Sequence, residues 1–534
     1  MTETEAPVLN RKPVLALLPV ALGGALALLA FVLVLAWGQH KANALFSYPT
    51  DNALLDIALA DSWSAMGAPH AAAEPIPLQF HALWRALLTL SSPFFEPRIA
   101  VFAFSLFAAL LSIPAFLSLA RAIFPRTHPM WWGLIAWVII SPIALDIFSG
   151  QPIPLATTLA LFAFAIHLKG LRPGDAPLPL RSAVLIGFAS LIRIECFSLW
   201  LMLAIHALAL AGTRRIQTSV ATVLIRTLNG ALVLAILLSP LIWWNMRVLG
   251  VPWPAAADAG LTLNSADSST FIALMSAGAQ VSLSALAKSP LVGNGFIFVF
   301  IVAGVLFLFI DLIRKKLDWS ATTLLVPVLL PLAFLPFYPL LGGSALDILC
   351  RTLIPLWLLL ASYALAGVVR GVRWMLIRAE SQWPRPLVLG TAGILVGAIP
   401  VLAGLRDQVT AWRAHGAAQT TASSTRHALD EMLLSAGATK ETPIATDAPG
   451  YFLHEGFTSI LDLRGRLQPE LLSWMDADSV SDPAGLREYL EHRGITLAAF
   501  ASPPIPALAT VFNCPFDPTN RAPRVCGFRT NAAP

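Results

Sequence analysis

Charged residues are scarce in this chain of 534 residues. Asp, Glu, Lys and Arg together make up 12 %, whereas hydrophobic residues make up 57 % and the mean hydropathy is +0.72. A water-soluble fold cannot hide that much apolar surface, so a soluble enzyme, a DNA-binding module and a disordered chain are excluded. Only four cysteines are present, too few for a disulfide scaffold. The composition is that of a polytopic membrane protein.

Several signatures of chemistry are also missing. The sequence has no Walker A phosphate-binding loop, no HExxH and no GxSxG, and its ten histidines form no cluster with metal-ligand spacing. We therefore expect no ATP-driven transport and assign no residue to a metal. A cleaved signal peptide is not evident either. Val14–Trp37 is too long and too uniformly apolar for one, and we interpret it as an uncleaved membrane anchor.

Residues 1–405 contain about eleven apolar spans and are predicted to form an all-α transmembrane domain. With the N-terminus in the cytoplasm, eleven crossings place 17 of the 24 Lys and Arg of this region inside and 7 outside, in agreement with the positive-inside rule. The expected location is the bacterial inner membrane, with the N-terminus cytoplasmic. The predicted spans are Val14–Trp37, Ile99–Phe124, Met130–Phe148, Leu155–Leu168, Ser182–Ile194, Phe197–Leu210, Val220–Trp244, Gly293–Ile313, Ala321–Leu341, Thr352–Val372 and Pro386–Leu405.

The first outer loop, Gly38–Arg98, is long enough to hold structure of its own. Ala53–Met66 and Leu78–Leu90 have helical spacing with polar interruptions. They are typical of juxtamembrane amphipathic helices that lie on the membrane surface.

Residues 406–534 have a different composition, with 11 Lys and Arg against 14 Asp and Glu. They are predicted to form a small α/β or α+β domain on the periplasmic side, and its ending is expected to be loop. Cys514 and Cys526 lie close together there and are expected to pair, which would stabilise the tail by roughly 3 kcal/mol. The alternative is two unrelated thiols. The predicted tail elements are helices Ser424–Ala436 and Gly485–His492 and strands Pro443–Thr446, Thr458–Leu463 and Thr496–Phe500.

A few ionisable residues at the outer membrane face are candidates for function, because charge is costly near hydrocarbon. Asp51 lies at the start of the first predicted outer helix, and Asp56 projects about 140° away from it on that helix. Asp51 has the alternative role of a helix cap. Arg193 and Glu195 lie in the turn between two short spans, where the alternative is a local ion pair.

Arg351 begins another span at the same face, where the alternative is interfacial snorkelling.

Together these residues suit transfer of a sugar from a polyprenyl phosphate. A carboxylate would act as the general base on an acceptor hydroxyl. Arg side chains would stabilise the departing lipid phosphate, with Glu195 orienting Arg193.

Five short motifs in order resemble the C-type superfamily of multi-span membrane glycosyltransferases, most closely the bacterial arabinofuranosyltransferase- and mannosyltransferase-like proteins. They cover most of the chain. The motifs are Asp51-Asn52-Ala53-Leu54, Ile76-Pro77-Leu78 leading to Leu83-Trp84, Arg193-Ile194-Glu195, Arg351-Thr352-Leu353-Ile354-Pro355, and Asp447-Ala448-Pro449-Gly450-Tyr451 followed by Ile460-Leu461-Asp462-Leu463-Arg464-Gly465.

The resemblance implies a hexosyl- or pentosyltransferase with a polyprenyl-phosphate-linked sugar as donor and a glycan, lipid or protein acceptor in the cell envelope. Asp51 would be the catalytic base, and Arg193, Glu195 and Arg351 would line the lipid-phosphate site. Asn52, Leu54 and Ile194 depart from the family pattern, which leaves the sugar and the use of a divalent metal open. Asp56 is the alternative base. The alternative function is a non-catalytic protein of the same architecture, a flippase, transporter or envelope scaffold, without a nucleic-acid partner in either case.

Overall fold

The computed structural model describes most of the chain between residues 18 and 527. The parts of that range it leaves undescribed are 42–47, 49, 68–69, 72–73, 76–80, 125–126, 173–174, 176, 250–294, 315–319, 328–347, 379–384, 464–466, 469–470, 472–473, 475–479, 481, 503, 505 and 515–521. Most of the predicted span Ala321–Leu341 and the predicted helix start at Leu78 lie outside the described residues.

Helices dominate the described chain, and strands are confined to the first outer loop and the tail. The helices are α1 (Leu18–Lys41), α2 (Asp51–Met66), α3 (Ala82–Ser91), α4 (Pro97–Ile123), α5 (Thr127–Ile140), α6 (Ile143–Ser149), α7 (Ile153–Gly170), α8 (Leu180–Ile192), α9 (Ser198–Gly212), α10 (Val220–Leu249), α11 (Gly295–Ile313), α12 (Ile354–Arg378), α13 (Arg385–Ser435), α14 (Pro449–His454), α15 (Pro483–His492) and α16 (Pro506–Val511). The strands are β1 (His70–Ala71), β2 (Glu74–Pro75), β3 (Ile444–Thr446), β4 (Ile460–Asp462), β5 (Leu497–Phe500) and β6 (Arg524–Gly527).

The apolar helices lie in the first 405 residues, the part of the chain predicted to form the membrane domain. Seven helical segments of the described chain are long and apolar enough to cross a membrane, and α8 and α11 are shorter apolar helices. Large apolar side chains on one side of α10, Leu228, Leu232 and Ile236, are exposed at four-residue spacing, which is typical of a lipid-facing surface. The predicted polytopic all-α architecture is confirmed.

One predicted span, Met130–Phe148, differs in detail from the helices that form, whereas the close pair of short spans agrees with them. Met130–Phe148 is broken between α5 and α6 at Ser141-Pro142, because the proline ring cannot donate a backbone hydrogen bond. The close pair Ser182–Ile194 and Phe197–Leu210 forms two separate helices, α8 and α9. Arg193 is extended between them, with a φ of −144°, and a 3-10 turn over Ile194–Phe197 follows it.

The two helices of the first outer loop differ in burial. α3 buries Trp84, Arg85 and Leu88 along one side, in agreement with an amphipathic helix. α2 instead buries every residue from Ala53 to Ala60, because α14 of the tail packs over it while α3 and α4 contact it elsewhere. α2 is therefore enclosed between the membrane domain and the tail.

The last predicted span and the start of the tail belong to one helix. α13 is 51 residues long, so the polar residues after Leu405 continue the helix of the span. It is anchored to the membrane helices by Trp412 against Phe148, with ring centroids 5.2 Å apart. A hydrogen bond of 2.7 Å from Gln39 Nε2 to Gln419 Oε1 adds a second anchor.

The tail folds around a four-stranded sheet of order β4-β3-β5-β6. β3 is parallel to β4 and β5, and β6 is antiparallel to β5. The predicted strands Pro443–Thr446, Thr458–Leu463 and Thr496–Phe500 contain β3, β4 and β5, and the predicted helix Gly485–His492 lies within α15. The expectation that the ending is loop is wrong at Arg524–Gly527, where the backbone pairs with β5.

A disulfide joins Cys514 to Cys526, with Cα atoms 5.4 Å apart. It ties β6 to the loop after α16. Closing a short loop in this way restricts the unfolded chain and stabilises a domain by about 3 kcal/mol.

Candidate functional site

Asp51 lies at the junction of the membrane domain and the tail. It is the first residue of α2, and Thr50, not Asp51, occupies the N-cap position. Asp51 Oδ1 accepts a hydrogen bond of 2.9 Å from the backbone N–H of Tyr451. Its carboxylate is half-buried and lies at the N-terminal, positive end of the α2 dipole.

Two glycines allow other elements to approach the start of α2 closely. A Cβ added at Gly450 would lie against the carbonyl oxygen of Asp51 and 2.5 Å from the backbone nitrogen of Leu55. A Cβ added at Gly150 would lie 2.6 Å from the Cβ of Ala53, and Gly150 also has a φ of +73° that other residues rarely adopt. The position of Asp51 therefore depends on close backbone contacts on two sides.

The tail motif that precedes Tyr451 is held by the sheet. Asp447 Oδ1 accepts from the backbone N–H of Ala501 at 2.7 Å, and Asp447 Oδ2 accepts from the backbone N–H of Ser502 at 3.2 Å. These bonds join the end of β3 to the end of β5. They fix where α14 begins and so where Tyr451 meets Asp51.

Asp56 lies on the opposite side of α2 in a buried polar network. Its Oδ2 accepts from His81 Nδ1 at 2.6 Å, and its Oδ1 accepts from Arg85 Nε at 2.7 Å. Burial raises the pKa of Asp56, but the hydrogen bonds from His81 and Arg85 and the charge of Arg85 outweigh burial and leave the pKa below its usual range. Asp56 is therefore ionised and enclosed, with 1 % of its surface exposed.

His81 connects Asp56 to Arg193. Burial lowers the pKa of His81, so the ring is neutral, and the network assigns its proton to Nδ1, facing Asp56. His81 Nε2 then accepts from Arg193 Nη1. His81 has a φ of +68°, a strained conformation that is held by the surrounding contacts.

Arg193 and Glu195 form an ion pair in the turn between α8 and α9, with Arg193 Nε 3.1 Å from Glu195 Oε1. Within the described part of the chain, Arg193 Nη2 has no hydrogen-bond partner although it is shielded from solvent. Buried polar groups are rarely left unpaired, so this nitrogen points to a ligand or an ordered water.

The structure brings some of the sequence-predicted residues together and separates others. Asp56, Arg193 and Glu195 belong to one network through His81, whereas Asp51 contacts the tail. Arg351 is half-buried in a helical turn over residues 348–352, before α12.

Sequence reasoning did not single out His81 or Arg85. Their four-residue spacing within the predicted helix Leu78–Leu90 was the available indication.

A cavity of about 290 Å³ opens near Asp51, which is not itself one of its lining residues. It is lined by residues of the first outer loop, α4, α13 and α14: Tyr48, Leu54, Arg98, Ser423, Arg426, His427, Tyr451, His454 and Glu455. Tyr451, whose N–H binds Asp51, forms part of its wall. The described residues contain no group of three or more His, Cys, Asp or Glu that could hold a metal ion.

Comparison with known proteins identifies the fold. No family model matches the chain, and no curated protein is similar to it in sequence. The crystal structure of ArnT from Cupriavidus metallidurans bound to undecaprenyl phosphate is similar with a TM-score of 0.53 at 12 % identity, covering 95 % of this chain and 98 % of that one. The archaeal oligosaccharyltransferase AglB from Archaeoglobus fulgidus, in complex with an inhibitory peptide and a dolichol-phosphate, is similar with a TM-score of 0.58 at 11 % identity, covering 91 % and 69 %.

The first of these structures contains undecaprenyl phosphate, and the second contains a dolichol-phosphate and an inhibitory peptide. This chain shares the fold of these two proteins, so the resemblance drawn from the sequence motifs is confirmed at the level of fold. At identities of 11–12 % the likeness shows the fold alone, and the function and the residue roles are proposals.

Proposed function

We propose that the protein is a membrane glycosyltransferase that moves a sugar from a polyprenyl phosphate to an acceptor in the cell envelope. The observation that carries this proposal is the position of Asp51. Its carboxylate is half-buried beside a polar cavity, where the first outer loop meets the tail. Transferases that bind a lipid-linked donor in the membrane and an acceptor outside it need a reactive group at such a junction.

The reaction is a single displacement with inversion at the anomeric carbon. Asp51 removes the proton of an acceptor hydroxyl as the hydroxyl oxygen attacks that carbon. The bond between the anomeric carbon and the phosphate oxygen breaks, and the polyprenyl phosphate departs with the electron pair. The products are the glycosylated acceptor and polyprenyl phosphate, and no ATP is consumed.

Asp51 is a better base than Asp56. Asp56 is almost fully buried, and both of its oxygens accept hydrogen bonds from cationic or ring N–H groups, so a substrate proton cannot reach it. Asp51 has more exposure and lies next to the cavity. In this proposal Asp56 is a positioning residue that orients His81 and, through it, Arg193.

The donor phosphate is assigned to the other side of α2. Arg193 has a buried nitrogen without a partner in the described chain, and Glu195 holds its guanidinium by an ion pair. Arg193 would bind the departing phosphate, since a guanidinium presents several N–H groups to an oxyanion. Arg351, at the start of another membrane helix, is proposed to add a second positive charge.

The orientation proposed for the chain follows its charges. The N-terminus lies in the cytoplasm and the tail in the periplasm of a bacterial inner membrane, because this arrangement puts most Lys and Arg inside. The disulfide between Cys514 and Cys526 supports an oxidising compartment for the tail.

The experiment that tests the proposal uses the purified full-length protein in detergent, where no membrane remains to be crossed. The protein is incubated with synthetic undecaprenyl-phosphate-linked pentoses and hexoses and with a cell-envelope extract as acceptor. Mass spectrometry then follows the release of undecaprenyl phosphate. The proposal predicts release that depends on both the protein and the extract, whereas a flippase, transporter or scaffold would release none.

A further inference from the structure

The cavity beside Asp51 contains two guanidinium groups. Arg98 reaches it from the start of α4, and Arg426 reaches it from the extramembrane part of α13. Among the described residues, neither has a carboxylate within 4 Å, the distance of an ion pair. Two partly buried cations in one small cavity are unfavourable unless an anion joins them.

The contacts of these two arginines hold them in place without neutralising them. Arg426 Nη1 donates to the carbonyl oxygen of Tyr48 at 2.9 Å, and its guanidinium lies 5.6 Å from the ring centre of Tyr451. Arg98 Nε donates to His454 Nε2 at 3.0 Å. A carbonyl, an aromatic face and an imidazole fix geometry but carry no full negative charge.

The charges around the cavity act on the titration of its lining groups. Burial lowers the pKa of Arg426; Asp51, Tyr451 and Glu455 oppose this effect, and Arg98 acts in the same direction as burial. Burial and the charges of Arg98 and Arg426 lower the pKa of His454 to about 4, so the ring is neutral at physiological pH. Glu455, which lines the cavity, and Asp51 are nearby carboxylates, and neither forms an ion pair with Arg98 or Arg426.

The cavity lies on the Asp51 side of α2. Leu54 lines it and projects about 60° from Asp51 around the helix, whereas Asp56, which leads to Arg193, projects about 140° away. The general base acts on the acceptor hydroxyl, so a group bound in this cavity is on the side of the acceptor. The volume of about 290 Å³ suits one monosaccharide-sized group.

We propose that Arg98 and Arg426 bind an anionic group, a phosphate or a carboxylate, of the sugar acceptor, with the ring of Tyr451 packing against the saccharide. The inference rests on the proposed transfer reaction and adds to it the chemical class of the acceptor. Acceptors that carry a negative charge near the glycosylated hydroxyl are bound, and neutral ones are not.

The test measures binding to the full-length protein in detergent, without turnover. The probes are glucose 6-phosphate and glucuronate as anionic sugars, glucose as the neutral control, and undecaprenyl phosphate as the donor carrier. The variants are Arg426→Ala, Arg426→Lys and Arg98→Lys, with Arg413→Ala as the matched control because Arg413 is exposed on the same helix. Thermal melting of each variant shows whether it is folded.

The expected result is that at least one anionic sugar binds at least tenfold more tightly than glucose. Arg426→Ala removes this preference, Arg426→Lys and Arg98→Lys retain part of it, and Arg413→Ala leaves it unchanged. Undecaprenyl phosphate binding is unaffected by Arg426→Ala and is weakened by Arg193→Ala.

Equal affinity for charged and neutral sugars, or an unchanged preference in folded Arg426→Ala, overturns the inference. Loss of undecaprenyl phosphate binding in Arg426→Ala but not in Arg193→Ala also overturns it, because the cavity would then hold the donor phosphate. Anion binding as expected in a protein that transfers no sugar would refute the proposed function and leave the anion site standing.

Discussion

Asp51 and Tyr451 are 400 residues apart in the chain, yet the backbone N–H of Tyr451 donates a 2.9 Å hydrogen bond to Asp51 Oδ1. The bond ties the candidate base of the outer loop to the tail. The tail is thus part of the site, and a disturbance of its docking changes the position of the carboxylate without touching the membrane helices.

Gly450→Ala is expected to separate α14 from α2. The new methyl group would press on the backbone of Asp51 and Leu55, at a cost of about 1–3 kcal/mol of stability. We expect a strong loss of transfer rate with a modest loss of melting temperature. The matched control is Gly416→Ala in α13, where an added Cβ meets nothing within 4 Å. A Gly450→Ala protein with the wild-type rate would show that α14 need not approach α2 closely.

Asp56→Asn is expected to destabilise the protein rather than to abolish chemistry directly. It leaves Arg85 buried without its counter-charge, and breaking a buried ion pair costs about 3–5 kcal/mol. The melting temperature should fall by several degrees, whereas Asp61→Asn on an exposed position of the same helix should change it little. Equal melting temperatures for the two variants would contradict a stabilising role for the buried network around Asp56.

Arg193→Ala is expected to weaken the binding of undecaprenyl phosphate at least tenfold, because it removes the group assigned to the phosphate. Arg193→Lys should restore only part of the affinity, since an ammonium group cannot form paired hydrogen bonds. Arg351→Ala should have a smaller effect in the same direction. Binding is measured by thermal shift with a dilution series of the lipid, and wild-type affinity in Arg193→Ala would remove the donor-site assignment.

The neutral state of His454 predicts a loss of stability in mild acid. The unfolded imidazole takes up a proton near pH 6.5, whereas the folded one does so only near pH 4. The unfolded state therefore binds more protons across this window, and stability falls as the pH is lowered from 6.5 towards 4. His454→Asn should show a smaller fall in melting temperature over the same range; an identical fall would show that His454 is not responsible.

The membrane fold was predictable because long apolar segments and the charges that flank them are visible directly in the sequence. Asp51, Arg193 and Glu195 were identifiable as candidates for the same reason, since charge at an outer membrane face is costly and stands out. The network around Asp56 was not predictable. His81 and Arg193 are 112 residues apart, and only the packing of α3 against α8 brings them together.

Two features of the tail were also not predictable from the sequence. β6 has a short, weakly apolar sequence, and its pairing with β5 depends on a tertiary arrangement and not on its own pattern. The continuity of α13 was hidden by a change from apolar to polar residues after Leu405. The helix continues through that change to Ser435, so the change in composition does not mark its end.

The most direct test of the account is the transfer rate of Asp51→Asn. Asparagine keeps an oxygen that can accept the Tyr451 hydrogen bond but cannot take a proton, so folding and undecaprenyl phosphate binding should be preserved. The account predicts that sugar transfer in detergent falls by about 10²–10⁴-fold, the contribution of a general base. Unchanged transfer at a normal protein level would contradict the assignment of Asp51 as the base.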